Sequence, residues 1–198
     1  MNILFIGDIF GRPGRKTVAK LLQDYRKKLK INVVIANAEN MHHGKGVTEP
    51  LLKEMRTAGI DFFTSGNHIW KEREIIPKLD DPKLPLIRPA NYLRSPGKGY
   101  QVIEDDSGKR FSSSTLWGVF SCRCTWTVLS KLRTAFLKKF QDDDSLSAIF
   151  VDFPRGNNIK MALAHYLDGR ITALIGTHTH VPTFDARILV VALRTRLM

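Results

Sequence analysis

The stretch Ile175-Gly176-Thr177-His178-Thr179-His180 ends a hydrophobic run in two histidines separated by one threonine. In an extended chain alternate side chains share a face, so His178 and His180 are expected to point at one object. Imidazole pairs suit metal ions, and they are equally compatible with a solvated strand end. The choice between these readings rests on whether other strands end in the same manner.

Three others do. Asn2 to Gly7 reads as a buried strand, and Gly7-Asp8-Ile9-Phe10-Gly11-Arg12-Pro13-Gly14-Arg15 as a glycine-rich turn into a basic helix. Asp8, just past the strand end, is placed to ligate a cation; helix capping is its rival role, with the glycines setting it rather far upstream. Asn32 to Asn37 forms a second β-rich run, closed by Ala38-Glu39-Asn40-Met41-His42-His43-Gly44-Lys45-Gly46. Thr48 is a good N-cap for a helix to about Ala58, with Pro50 tolerated in its first turn. The strand Asp61 to Ser65 then ends in Gly66-Asn67-His68. Alternating strands and helices predict a largely parallel sheet, whose ligands gather at the carboxyl ends of its strands. Asp8, Glu39, Asn40, Asn67, His68, His178 and His180 are therefore expected to converge. Hard oxygens mixed with imidazoles suit Mn, Fe or Zn better than Mg or Ca.

At 198 residues and 43% hydrophobic content the chain suits one globular domain with a full core. Asp8 interrupts the apolar N-terminus too early for a signal peptide, and no run approaches membrane-spanning length, so a cytoplasmic protein is expected. Cys122 and Cys124 are too close for an ordinary disulfide and too few for a structural zinc site. The net charge of +12 raises nucleic-acid binding as a reading. Eight cations (Arg12, Arg15, Lys16, Lys20, Arg26, Lys27, Lys28 and Lys30) fall in one early segment opposed only by Asp24. That segment also spaces Val18, Leu21, Leu22, Tyr25 and Leu29 as a helical stripe, so the charges read first as the solvated back of an amphipathic helix.

Further along, Arg88-Pro89-Ala90-Asn91 and Pro96-Gly97-Lys98-Gly99 are loops that suit an anion, although turn chemistry also accounts for them. Tyr100 to Glu104 and Lys109 onward predict a hairpin around Asp105-Asp106-Ser107-Gly108. Residues 111 to 141 contain no acid and show no clear period. Ser147 to Phe153 reads as a buried strand and Asn158 to Asp168 as a helix closed by Gly169, on which His165 is a packed or surface residue rather than a ligand.

Gly7-Asp8, Ala38-Glu39-Asn40, Gly66-Asn67-His68 and Gly176-Thr177-His178-Thr179-His180 resemble the motifs of the calcineurin-like metallophosphoesterases. More narrowly, Phe5-Ile6-Gly7-Asp8, Glu39-Asn40 with His43-Gly44-Lys45-Gly46, Arg88-Pro89-Ala90-Asn91 and Asp168-Gly169-Arg170 resemble the bacterial YmdB-like phosphodiesterases, over residues 1 to about 110 and about 142 to 189. The resemblance implies an α/β chain forming a single metallophosphoesterase domain over residues 1–198, with two packed β-sheets flanked by helices and incomplete at its C-terminus. It implies a phosphodiesterase with two divalent metal ions, Fe or Mn first and Zn or Mg as alternatives, acting on 2',3'- or 3',5'-cyclic nucleotides. Carried over by position, Asp8, Glu39 and His180 serve one ion, with Glu39 or Asn40 near the bridge, while Asn67 and His178 serve the other. His68 then stabilises or protonates the leaving oxygen. The expected partner is a small phosphodiester rather than a membrane; substrate-binding residues stay unassigned and a homo-oligomer stays open.

Some stretches depart from the family pattern. After the strand ending at Phe153 the family has His-Ala-Glu, and here stand Pro154-Arg155-Gly156. Proline cannot ligate, so the second ion is expected to bind more weakly. Residues 111–141, 154–160 and 190–198 hold no acid and supply nine of the twelve net charges, which removes most of the case for nucleic acid. A shifted reading frame accounts for all three stretches: codons allowed for Val191 to Met198 can be read in another frame as Gly-Gly-Thr-Ala-Tyr-Gln-Thr-Asp, as in the family. The coding DNA tests this. Two rivals to an active enzyme remain: a truncated or frameshifted pseudoenzyme with partial metal binding, and a basic nucleic-acid-binding protein.

Overall fold

The structure, a computed structural model, describes residues 2–92, 94–105, 107–115, 140, 143–154, 157–181 and 186–189. Cys122, Cys124 and most of the stretch 111–141 lie outside them, as do Arg155, Gly156 and 190–198. The elements run β1 (Ile3–Asp8), α1 (Gly11–Lys28), β2 (Val33–Asn37), α2 (Glu49–Thr57) and β3 (Phe62–Thr64), then two 3₁₀ turns (Asn67–Trp70 and Arg73–Lys78). After these come β4 (Tyr100–Glu104), β5 (Arg110–Thr115), β6 (Leu146–Pro154), α3 (Asn157–Leu167) and β7 (Ala173–Thr177).

One parallel sheet was the expectation from strand alternation alone; the structure has two. Strands β1-β2-β3 form a parallel sheet, and β4-β5-β6-β7 a second in which only the β4/β5 hairpin is antiparallel. This is the pair of helix-flanked sheets that the calcineurin-like resemblance implies. Side chains alternate across each strand, so β2 sends Val33 and Ile35 into the layer between the sheets, where they meet Phe62, Ile87, Phe111 and Ala148. Its other residues, Val34 and Ala36, join Leu22, Leu52 and Met55 beneath α1 and α2. Val151, Phe153, Leu163, Leu167 and Ile171 make a third cluster between β6 and α3.

The chain passes from one sheet to the other through residues 84 to 90. Phe63 bridges to Leu86, and Pro89 bridges to Thr115 of β5. Arg88 turns its guanidinium onto the carbonyl oxygens of Ser95 and Pro89, and Lys98 Nζ donates to those of Pro82 and Leu84. Both cations are therefore engaged in holding the crossover.

Two expectations need correction. The stripe proposed for α1 is only partly buried: Leu22 is 3% exposed, whereas Leu21, Tyr25 and Leu29 are 42, 50 and 51% exposed. The helix rests on the sheet along a narrower line through Val18 and Leu22, and Arg26 bonds Asp61 while Arg15 bonds Glu54, so two of its seven cations are structural. Secondly, β5 runs on through Ser112, Ser113, Ser114 and Thr115, all buried. The polar run hid the strand because its backbone is paired on both sides, by β4 and β6, and burial there follows from topology rather than from side-chain hydropathy.

Candidate functional site

Asp8 closes β1 after a register shift between Ile6 and Asp8, an irregularity that re-aims the end of the strand. The N-cap of α1 is Phe10 with no side-chain cap bond, so Asp8 does not cap the helix. Instead the first turns of α1 hold the loop after β2: Gly11 N–H donates to the Asn40 carbonyl at 2.9 Å and Arg15 to that of Met41 at 2.6 Å. Gly44 completes this loop at φ +85°, where a side chain would also strike the Phe10 ring.

All seven predicted residues lie at carboxyl-terminal strand ends, drawn from both sheets, and six are joined by short contacts. Asn40 Nδ2 donates to Asp8 Oδ1 at 2.8 Å and stands 3.4 Å from His180 Nε2. Its Oδ1 lies 2.9 Å from His68 Nδ1, so in the neutral ring that nitrogen carries the proton and Nε2 the lone pair. Glu39, fully buried, accepts the His68 N–H at 3.3 Å and lies 3.7 Å from His178 Nδ1. His178 N–H donates to Asp8 Oδ2 at 2.6 Å, and His180 Nε2 is 4.0 Å from Asp8 Oδ1. Asn67 begins the 3₁₀ turn beside them, with its buried Oδ1 accepting no hydrogen bond from the described residues. Trp70 and Tyr92 pack together next to this turn, their ring centroids 4.7 Å apart.

The convergence of the two histidines has a different cause from strand alternation. β7 ends at Thr177, and His178 and His180 adopt φ of +80° and +57°. Non-glycine residues in that region are uncommon and concentrate at functional sites. The backbone turns rather than extends, which directs His178 toward Glu39 and His180 toward Asp8.

Electrostatically the cluster centres on the acid pair Asp8 and Glu39, faced by the imidazoles of His68, His178 and His180. Burial, and then the nearby charge of Asp8, pushes the Glu39 carboxyl up to about 8. Burial, followed by the charges of Lys45 and His178, holds His68 below its ordinary value. Among the described residues no three His, Cys, Asp or Glu side chains stand together as a ready-made ion cage. The Asn40 amide nitrogen instead lies against Asp8 Oδ1 and His180 Nε2. The donor set nevertheless fits divalent cations. Among the described residues Glu39 Oε1 and Asn67 Oδ1 are buried acceptors that meet no hydrogen-bond donor, the signature of oxygens suited to a cation. Pro154 ends β6 opposite Thr177 and offers no donor atom.

Sequence reasoning missed a second polar cluster directly behind the first. Asp152, in the apolar run of β6, is buried and accepts bonds from Asn37, Thr64 and Thr177. The signal was an acid inside a strand otherwise made of Ile, Phe and Val. A separate apolar cleft of about 430 Å³, lined by Met161, Ala164, Leu167, Leu174, Ile188 and Leu189, lies along α3 and β7 and includes none of the seven residues.

A family model described as YmdB-like protein matches residues 4–194. The chain belongs to the YmdB-like family. The match runs through residues 111 to 141, beyond the coverage that the motifs alone suggest. A 2',3'-cyclic-nucleotide 2'-phosphodiesterase of Bacillus subtilis is 40% identical over 199 residues, covering 96% of this chain and 70% of that protein. The crystal structure of a hypothetical protein from Thermus thermophilus superposes with a TM-score of 0.80 at 35% identity, covering 96% of this chain and 72% of that one. That of a novel phosphatase from Mycoplasma pneumoniae gives 0.80 at 29%, covering 94 and 67%. The fold is thus that of the YmdB-like phosphoesterases, and the chain is a phosphodiesterase-class hydrolase by family membership. Among the described residues no helix is long and apolar enough to cross a membrane.

Proposed function

We propose that this YmdB-like chain hydrolyses small cyclic-nucleotide phosphodiesters, 2',3'-linked in preference to 3',5'-linked, at the Asp8–Glu39–His178–His180 cluster. The observation that carries the reading is the meeting of strand ends from two sheets around the buried carboxylates of Asp8 and Glu39, where Glu39 Oε1 and Asn67 Oδ1 accept no hydrogen bond from the described residues. The 2',3'-cyclic preference rests on the name of the Bacillus relative. Asp8, Glu39 and His180 would hold one divalent ion, with Glu39 or Asn40 near the bridge, and Asn67 and His178 the other, Fe or Mn before Zn or Mg. Bound there, such ions supply positive charge to the phosphoryl oxygens and acidify water.

The chain's own groups do the rest. Asn40 orients His68 by accepting at Nδ1, which leaves Nε2 to meet the leaving ribose oxygen. Burial, and after it the charges of Lys45 and His178, disfavour the imidazolium before substrate arrives. A phosphodiester anion beside His68 acts in the opposite direction, so substrate binding loads Nε2 with the proton that the ribose oxygen receives as its bond to phosphorus breaks.

Pro154 supports the second reading, a chain that binds metal partially and turns over slowly or not at all. The purified protein in Mn²⁺, offered 2',3'-cyclic AMP, 3',5'-cyclic AMP and a generic aryl phosphodiester, separates the two. Turnover lost in His68→Gln at unchanged metal content supports the first reading, by a factor of about 10² to 10⁴. One ion or none, with no turnover of any substrate, refutes it.

A further inference from the structure

Asp152 is 2% exposed and sits where the two sheets meet. Its Oδ2 accepts from Asn37 Nδ2 at 3.0 Å and Thr64 Oγ1 at 2.5 Å, and its Oδ1 from Thr177 Oγ1 at 2.8 Å. Those partners end β2, β3 and β7, the strands that deliver Glu39 and Asn40, Asn67 and His68, and His178 and His180. Asn37 passes the contact forward: while its amide nitrogen faces Asp152, its Oδ1 accepts the Glu39 N–H at 3.0 Å. Thr177 immediately precedes His178, whose own N–H is held by Asp8.

All three partners are neutral: burial pushes the Asp152 carboxyl up to about 7 against their hydrogen bonds, and the charge it carries when ionised is dispersed and not cancelled. A buried carboxylate in that state is a poor choice for stability, since a neutral group of the same shape avoids the desolvation cost. It is a good choice behind a cation, because in a low-dielectric interior its field reaches the ion with little screening.

We propose that Asp152 is a positioning residue for the cation site, holding the Asn37 amide against the Glu39 backbone and placing a negative charge behind Asp8 and Glu39 when a cation is bound. The inference rests on the cation-site reading given above. A scaffold without electrostatic function would use the same hydrogen bonds, so the test must separate the two. Asp152→Asn keeps the shape and removes the charge, its oxygen accepting from Asn37 and Thr64 and its nitrogen donating to Thr177 Oγ1, whose hydroxyl proton then loses its acceptor. The full chain is titrated with Mn²⁺ by calorimetry, and the Tm of the metal-free protein is measured alongside. Asp152→Asn is expected to weaken Mn²⁺ binding tenfold or more while the metal-free Tm stays the same or rises; Thr177→Val, which keeps the charge, weakens it less than threefold. Asp152→Ser carries the same test where the Asn variant does not fold. Mn²⁺ affinity within twofold of wild type, a Tm that falls together with affinity, or failure of both neutral variants to fold overturns the proposal. Wild-type protein that binds no Mn²⁺ refutes the cation site itself, whereas normal wild-type binding with an unaffected Asn variant refutes Asp152 alone.

Discussion

Gly66→Ala is a small change with a large expected effect, because the carboxylate of Glu39 lies directly on the Gly66 backbone. A methyl group there would stand 2.5 Å from Glu39 Cδ and 2.6 Å from Oε1, and closer still to Oε2. Ordinary carbon contacts are about 3.5 to 4 Å, so the carboxylate must retreat by about 1 Å. Gly66 has φ −125° and ψ −146°, and alanine meets no left-handed strain at that φ; the penalty is steric. Glu39 is fully buried and has no free space to enter, and retreat also breaks its bond to the His68 N–H. Overpacking of this kind costs about 1–3 kcal/mol. For a chain of this length about 2 kcal/mol lowers Tm by about 4–8 °C. Urea denaturation of the metal-free protein measures the loss, and Mn²⁺ titration should show at least tenfold weaker binding. Stability within about 0.5 kcal/mol of wild type together with unchanged Mn²⁺ affinity would refute the placement of Glu39.

Pro154→His puts an imidazole at the end of β6, opposite Thr177, and is expected to raise the Mn content per chain toward two, as read by elemental analysis; unchanged stoichiometry sinks the idea that Pro154 weakens the second ion. On α1, Leu22→Ala should cost about 2–5 kcal/mol in a urea melt, whereas Leu21→Ala should stay within about 0.5 kcal/mol; comparable losses would contradict the narrow buried line of this helix. Glu49 bonds Lys53 and Lys78, which hold its carboxyl down to about 2. A depressed acid contributes stability above its ordinary value of 4.5 that is lost as pH falls toward 2. Glu49→Gln should therefore flatten the acid limb of the stability profile between those limits, and an identical limb in thermal melts from pH 2 to 5 would count against it.

The local chemistry of this protein is written in its order of residues. Strand ends at Asp8, Glu39-Asn40, Asn67-His68 and Thr177 are legible because apolar runs stop there at polar, ligand-type side chains. Such a change of character is a local property. The hairpin around Asp105 is legible for the same reason: its turn is closed by the residue's own carboxylate, which accepts from Ser107 and Lys109. What tertiary structure alone decided is non-local. Leu21 and Leu22 are adjacent and alike, and which of them is covered depends on how α1 lies on the sheet. Ser112, Ser113 and Ser114 are buried because two neighbouring strands pair with them. Asp152 meets Asn37 across 115 positions of sequence, and His178 meets Asp8 across 170. The seven residues at the site were named by their place at strand ends. That they meet, and that His178 and His180 turn inward through left-handed backbone rather than by alternation, follows from two sheets packed with their carboxyl ends together, a relation no local pattern encodes.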